Sequence, residues 1–277
     1  MTTEPLRFYD TTLRDGLRNS GISMTIDERI EVALGLERAG IDAIEVGYGG
    51  PQQPPVMRAI AEALTYPIVY GLSRVSLRDV DRVLEGVAPA ASSGATIYLP
   101  CSEQFLAAAG LTREQGVSQL AGAIRHARSQ LDHVMFASQD TTRADQAFLE
   151  DVCDTALDCG ATTISISDTI SHALPSEFGD LCAVLLQRPR AHEVSWSVHC
   201  HNSLGLAVAN ALAAVTAGVR QVEGTMNGIG EDAGNAPIQA LAGAIRSRSD
   251  AFPQIHLSLD TQQLREAADT VTRITER

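Results

Sequence analysis

His199 and His201 flank Cys200 at the end of the apolar run Val194–Val198. Alternate residues of a β-strand face the same side, so the two imidazoles would project together. Such a pair is half of a metal site; it is also the spacing of two strand histidines that hydrogen-bond in a core or face water. Asp15 offers an anionic oxygen and Asn235 a carbonyl oxygen. That mixed donor set suits a divalent ion such as Mn2+, Mg2+, Co2+ or Zn2+ and leaves positions open for substrate and water. An asparagine ahead of a helix equally has an N-cap reading. Arg14, beside Asp15, is either half of a local salt bridge or a fixed cation aimed at developing negative charge. Arginine stays protonated, so it cannot serve as a base at neutral pH. A metal chelated by the keto and carboxylate oxygens of a 2-oxo acid, with an arginine beside it, would stabilise an enolate or alkoxide. Carbon–carbon bonds are made or broken that way.

The elements that must position these residues alternate regularly. Strand-like runs fall at Leu6–Thr11, Ala43–Gly47, Ile68–Leu72, Thr96–Pro100, Val134–Ala137, Thr163–Ser167, Val194–Val198 and Gln221–Thr225, with alanine- and leucine-rich helical segments between them. Thr25 with Glu28, and Thr112 with Gln115, have the spacing of capping boxes, while Gly40, Gly160 and Gly218 stand where helices should close. Eight such units predict an α/β fold, a single (β/α)8 TIM barrel over residues 1–277 with Thr261–Arg277 as an extra C-terminal helix; a doubly wound open sheet uses the same units.

A barrel gathers its chemistry at the carboxyl ends of its strands. Polar residues stand there: Asp10 to Asp15 after strand one, Glu45 in strand two, Ser73 and Arg74 after three, Ser102 and Glu103 after four, Gln139 and Asp140 after five, Asp168 and Thr169 after six, the histidines after seven and Asn227 to Asn235 after eight. Asp168, Asp140 and Ser203 each also have a capping reading.

The formal charge of −13 argues against nucleic acid and anionic membranes as partners. The N-terminus lacks the pattern of a signal peptide, and no apolar run reaches the roughly 18 residues of a membrane span. A cytoplasmic protein is expected, and the five cysteines, without scaffold-like spacing, fit a reducing compartment. Cys153 and Cys159 read as helix packing residues.

Three runs, DTTLRDG at Asp10–Gly16, HCHNSLGLAVANALAAV at His199–Val215 and NGIGEDAGNAP at Asn227–Pro237, resemble the DRE-TIM metallolyases across essentially the whole barrel. That superfamily includes isopropylmalate and homocitrate synthases, hydroxymethylglutaryl-CoA lyase and 4-hydroxy-2-oxovalerate aldolase. The resemblance implies Asp15, His199 and His201 as metal ligands, Asn235 as a nearby or water-bridged one, Arg14 as the catalytic arginine, Glu45 as the acidic residue of strand two and Thr169 as a substrate contact. It also implies a homodimer.

Different segments match different branches. The lyase carries a catalytic cysteine before its glycine-rich segment, where this chain has Met226; the synthases carry a glutamate where this chain has Gln139 and continue into helical subdomains beyond the barrel; the aldolase has a histidine base where this chain has Arg18. Arg18 could instead hold a carboxylate or phosphate, and Arg74 is a second candidate for the far end of the substrate. Glu45, His172, Cys101 and Glu231 remain for proton transfer, His172 having the most suitable ordinary pKa, although a surface histidine is its simpler reading. The expected function is Claisen-type condensation of an acyl-CoA with a 2-oxo acid. Aldol-type lyase chemistry on 4-hydroxy-2-oxo acids through a pyruvate enolate is the alternative, and a non-catalytic barrel subunit of a complex is a third reading.

Overall fold

The computed structural model describes residues 3–276. Strand β1 (Glu4–Pro5) pairs only with β10 (Ile255–His256). The eight strands β2 (Arg7–Asp10), β3 (Ala43–Tyr48), β4 (Ile68–Arg74), β5 (Ser93–Pro100), β6 (His133–Gln139), β7 (Thr163–Asp168), β8 (Ser195–Cys200) and β9 (Gln221–Gly224) form a closed barrel in sequence order. Every neighbouring pair is parallel, and the ring shuts where Arg7 to Asp10 register with Gln221 to Gly224. The TIM barrel read from the alternation is therefore the fold, and the open sheet is not.

The helices begin where local chemistry satisfies their free amides. Helix α1 (Ile26–Arg38) carries the Thr25–Glu28 capping box, which occupies two otherwise orphaned N–H groups. Helix α2 is Pro54–Ala63, α3 is Leu77–Val87, and β5 is followed by two helices, α4 (Glu103–Ala109) and α5 (Arg113–Arg128). Gly110, in the left-handed region at φ 68°, ends α4 so that Thr112 can cap α5 with Gln115. Helices α6 (Gln146–Asp158), α7 (Pro175–Leu186), α8 (Ala207–Ala217) and α9 (Ile238–Ser247) complete the ring. The terminal helix α10 (Thr261–Thr275) packs against α1 outside it, as expected, burying Leu264, Ala267, Val271 and Ile274. Cys153 is buried in α6, and Cys159 caps that helix. Among the described residues, no helix is long and apolar enough to cross a membrane.

Two cores result. The larger fills the space between sheet and helices; the smaller, Tyr9, Ala43, Tyr70 and Met135, plugs the barrel interior. Tyr9 Oη and Thr96 Oγ1 are 2.8 Å apart although β2 and β5 are not sheet neighbours, so their hydrogen bond crosses the interior. With side chains alternating along each strand, Tyr9, Met135 and Thr96 place Ala137, Gln139 and Tyr98 above the plug, toward the carboxyl rim.

Candidate metal and substrate site

After β2 the chain turns sharply. Asp10 accepts from Thr12 N and Thr12 Oγ1, both at 2.8 Å, and Asp15 N donates to Thr11 O at 2.8 Å. A Cβ at Gly16 would sit 2.4 Å from Thr12 O, so only glycine lets the turn close. The turn delivers Arg14 and Asp15 to the mouth of the barrel. Across the ring, His199 is the inward residue near the end of β8, and His201 follows in an isolated antiparallel bridge to Asn235.

The donors converge. Asp15 Oδ2 lies 3.4 Å from His199 Nε2 and 3.6 Å from His201 Nε2, and the two Nε2 atoms are 3.2 Å apart. Asp15 Oδ2 and Asn235 Oδ1 are both buried without a hydrogen-bond partner. Burying a polar oxygen unpaired is costly, and a cation among two imidazoles and a carboxylate removes that cost. The residues therefore fit a divalent ion, with Asp15, His199 and His201 as the donor cluster. Asn235 does not cap a helix: α9 begins after Pro237 without a side-chain cap, and the Asn235 amide donates to Ile229 O at 3.3 Å.

Arg14 fits both of its sequence readings. Its Nε donates to Glu45 Oε2 at 2.5 Å and its Nη1 to Asp15 Oδ1 at 2.5 Å, and it also borders the cavity. Burial opposes its charge, but Asp15 and Glu45 outweigh burial and keep the guanidinium protonated. Burial would also raise Asp15; Arg14 and the histidines overcome it and hold the carboxyl well below its usual range. For Glu45 burial wins, so its pKa is raised despite Arg14. The histidines split: burial would lower His199, yet Asp15 and Glu223 raise it, whereas burial and the charge of His199 both lower His201.

Glu223 is the residue that sequence reasoning missed. Ser165 and Ser197 donate to its Oε1 at 2.5 and 2.7 Å, and its Oε2 faces His199 Nδ1 at 3.2 Å, an ion-pair contact without hydrogen-bond alignment. An acid alternating with Gln221 and Thr225 in a strand buried on both faces was the available signal.

The cavity above these groups has a volume of about 380 Å3 and is bordered by Arg18, Arg74 and Thr169 as well as Arg14. Arg18 Nε lies 3.3 Å from Glu231 Oε2, Arg74 Nε 2.6 Å from Asp79 Oδ2, and Thr169 Oγ1 accepts from Asp140 N at 2.8 Å. The proton-transfer candidates fare less well. His172 is exposed, held by its backbone N–H to Asp168 Oδ1 at 2.8 Å, and does not border the cavity, which corrects its expected place as a base. Glu45 is buried, accepts from Arg14 Nε and does not border the cavity. Cys101 donates to Leu99 O at 3.4 Å, with burial pushing its thiol well up. Glu231 is bound by Arg18 and Asn19. Asp168 ties Thr142, His172 and Asn210 together but caps no helix, the N-cap of α7 being Leu174, and Met226 is buried with its N–H on Thr12 Oγ1.

The sequence model of the HMGL-like family matches residues 5–271. The 2-isopropylmalate synthase of Listeria welshimeri is 38% identical over 273 residues, 97% of this chain and 53% of the synthase. That of Dechloromonas aromatica is 39% identical over 274 residues, 98% of this chain and 53% of the synthase. The chain thus spans about half the length of these curated relatives. Among solved structures, the HMG-CoA lyase from Brucella melitensis superposes with a TM-score of 0.83 at 18% identity, covering 99% of this chain and all of the lyase. The carboxyl transferase domain of Rhizobium etli pyruvate carboxylase, solved with pyruvate, gives 0.75 at 17% identity over 97% of this chain and 47% of that one. At those identities the likeness is one of fold.

Proposed function

The chain belongs to the HMGL-like family, and on that premise we propose that it joins an acyl-CoA to the keto carbon of a 2-oxo acid in a metal-dependent Claisen-type condensation. The observation that carries this reading is the meeting of Arg14, Asp15, His199 and His201 beside one cavity on the barrel rim, with buried donor oxygens left unpaired. The similarity to 2-isopropylmalate synthases supports it.

In the reaction the acyl-CoA loses an α-proton, its carbanion adds to C2 of the 2-oxo acid, the keto oxygen gains a proton, and water cleaves the thioester to release CoA and a dicarboxylic 2-hydroxy acid. A divalent ion, Mn2+, Mg2+, Co2+ or Zn2+, held by Asp15, His199 and His201 with Asn235 nearby, would polarise the keto group. Arg14 supplies a fixed positive charge for the oxygen as it becomes an alkoxide, and its two carboxylate partners hold it in place beforehand, so little reorganisation is needed during reaction. Glu223 keeps the His199 ring oriented. Arg18, Arg74 and Thr169 contact the substrate from the cavity wall. Residues 1–277 act in this reading as one catalytic domain of a cytoplasmic homodimer.

The test is to incubate metal-loaded protein with 2-oxo acids, with and without acetyl-CoA. Thiol release that depends on a 2-oxo acid is expected. Pyruvate formed from a 4-hydroxy-2-oxo acid without CoA would replace condensation with aldol cleavage.

A further inference from the structure

The wall of the cavity made by β5, β6 and β7 has a composition that the metal chemistry does not use. Tyr98, Gln139 and Ser167 all border the cavity from these neighbouring strands. Their side chains share the inward parity set by Thr96, Met135 and Ser165 lower on the same strands. None of the three side chains makes a hydrogen bond to another group among the described residues. Ser167 is only 6% exposed, so its hydroxyl has little recourse to bulk water once the cavity is filled. By contrast, Thr96 is engaged with Tyr9 and Thr169 with Asp140.

The charges around this wall are already matched. Each arginine bordering the cavity has a carboxylate partner: Arg14 has Asp15 and Glu45, Arg18 has Glu231, and Arg74 has Asp79. A second carboxylate on the substrate would have to compete with those acids. A purely alkyl chain would instead cover Tyr98, Gln139 and Ser167 and leave their polar atoms dry and unpaired. An uncharged group that both donates and accepts meets neither obstacle. Gln139 suits it well, since an amide presents a donor and an acceptor together, whereas a carboxylate only accepts.

Resting on the condensation reading of the same site, we infer that the preferred 2-oxo acid carries a hydroxyl on its chain, bound by Tyr98, Gln139 and Ser167. Sites built to bond a hydroxyl reject the analogue that lacks it far more strongly than alkyl pockets discriminate by size.

The experiment uses Mn2+-loaded protein and isosteric pairs of acids that cannot undergo retro-aldol cleavage: 3-hydroxypyruvate against 2-oxobutanoate, and 5-hydroxy-2-oxopentanoate against 2-oxohexanoate. 2-Oxoisovalerate and 2-oxoglutarate represent branched and doubly charged chains. Binding is read by calorimetry and turnover separately by thiol release with acetyl-CoA. The better hydroxy acid is expected to bind about tenfold or more tightly than its alkyl partner and than either of the other two acids. In Y98F and S167A its affinity should fall toward that of the alkyl partner. Equal affinity within both pairs, or tighter binding of 2-oxoisovalerate or 2-oxoglutarate than of either hydroxy acid, overturns the inference. If the binding preference holds while no acid releases thiol, the hydroxyl site stands and condensation fails; if thiol is released fastest with 2-oxoisovalerate and that acid also binds best, condensation stands and the hydroxyl site fails.

Discussion

Glu223 stands behind His199, its Oε2 3.2 Å from Nδ1, while Nε2 of the same ring faces Asp15 at 3.4 Å. The carboxylate favours a proton on Nδ1 and so leaves Nε2 as a lone pair for a cation. In E223Q the serines still donate to the remaining carbonyl, the new NH2 points at Nδ1, and the proton moves to Nε2. Mn2+ affinity, measured by calorimetry, should drop about 10- to 100-fold with the circular dichroism spectrum unchanged. Unaltered affinity would remove Glu223 from the metal site.

Arg14 bridges two carboxylates that are each 1% exposed. R14A should cut kcat by about 10^2 to 10^3 while metal still binds. It should also destabilise the fold by about 3–5 kcal/mol, because both acids lose a buried partner. Adding E45Q to R14A should recover part of the lost stability but none of the activity, a combination visible by paired denaturation and turnover assays. Full activity in R14A would remove Arg14 from the catalytic machinery.

A divalent ion that binds only the folded chain must stabilise it. At a hundredfold excess over Kd, Mn2+ or Zn2+ should add about 2.7 kcal/mol, seen as a higher Tm that chelator reverses. D15N should show no such rise. A rise of equal size in D15N would place the ion elsewhere.

Asp10 supplies a pH dependence that is independent of the metal ligands. Burial raises its pKa to about 7, against the lowering effect of its bonds to Thr12. The folded state therefore binds this proton more tightly than the unfolded chain does, so the contribution to stability is present below about pH 4 and is lost as pH rises through 7. Relative to D10N, the original chain should lose stability between pH 5 and 8 in chemical denaturation. A difference that is flat or that rises over this range would contradict the assignment.

His172 is exposed and does not border the cavity. H172A should hold kcat/KM within about twofold, since it loses no buried contact. A loss of kcat by orders of magnitude in H172A would return the residue to catalysis.

Much of this molecule could be read from local sequence. The capping boxes at Thr25 and Thr112, the glycine at 110 and the eight apolar runs act within a few residues, so their outcome needs no knowledge of distant chain. The alternation in turn requires a parallel sheet, and side-chain parity alone aims His199 and His201 the same way. What lay beyond the sequence depends on ring closure. Asp15 meets the histidines only because β2 pairs with β9 and shuts the barrel, bringing together residues nearly two hundred positions apart. Pairing between consecutive strands, β2 with β3 and β8 with β9, sets Glu45 against Arg14 and Glu223 against His199, contacts that the type of either carboxylate does not reveal. The register of β5, β6 and β7 likewise lines up Tyr98, Gln139 and Ser167 in one wall, while the loop after β7 leaves His172 exposed. A side chain's partner across the barrel is set by strand order and register, and those are properties of the packed whole.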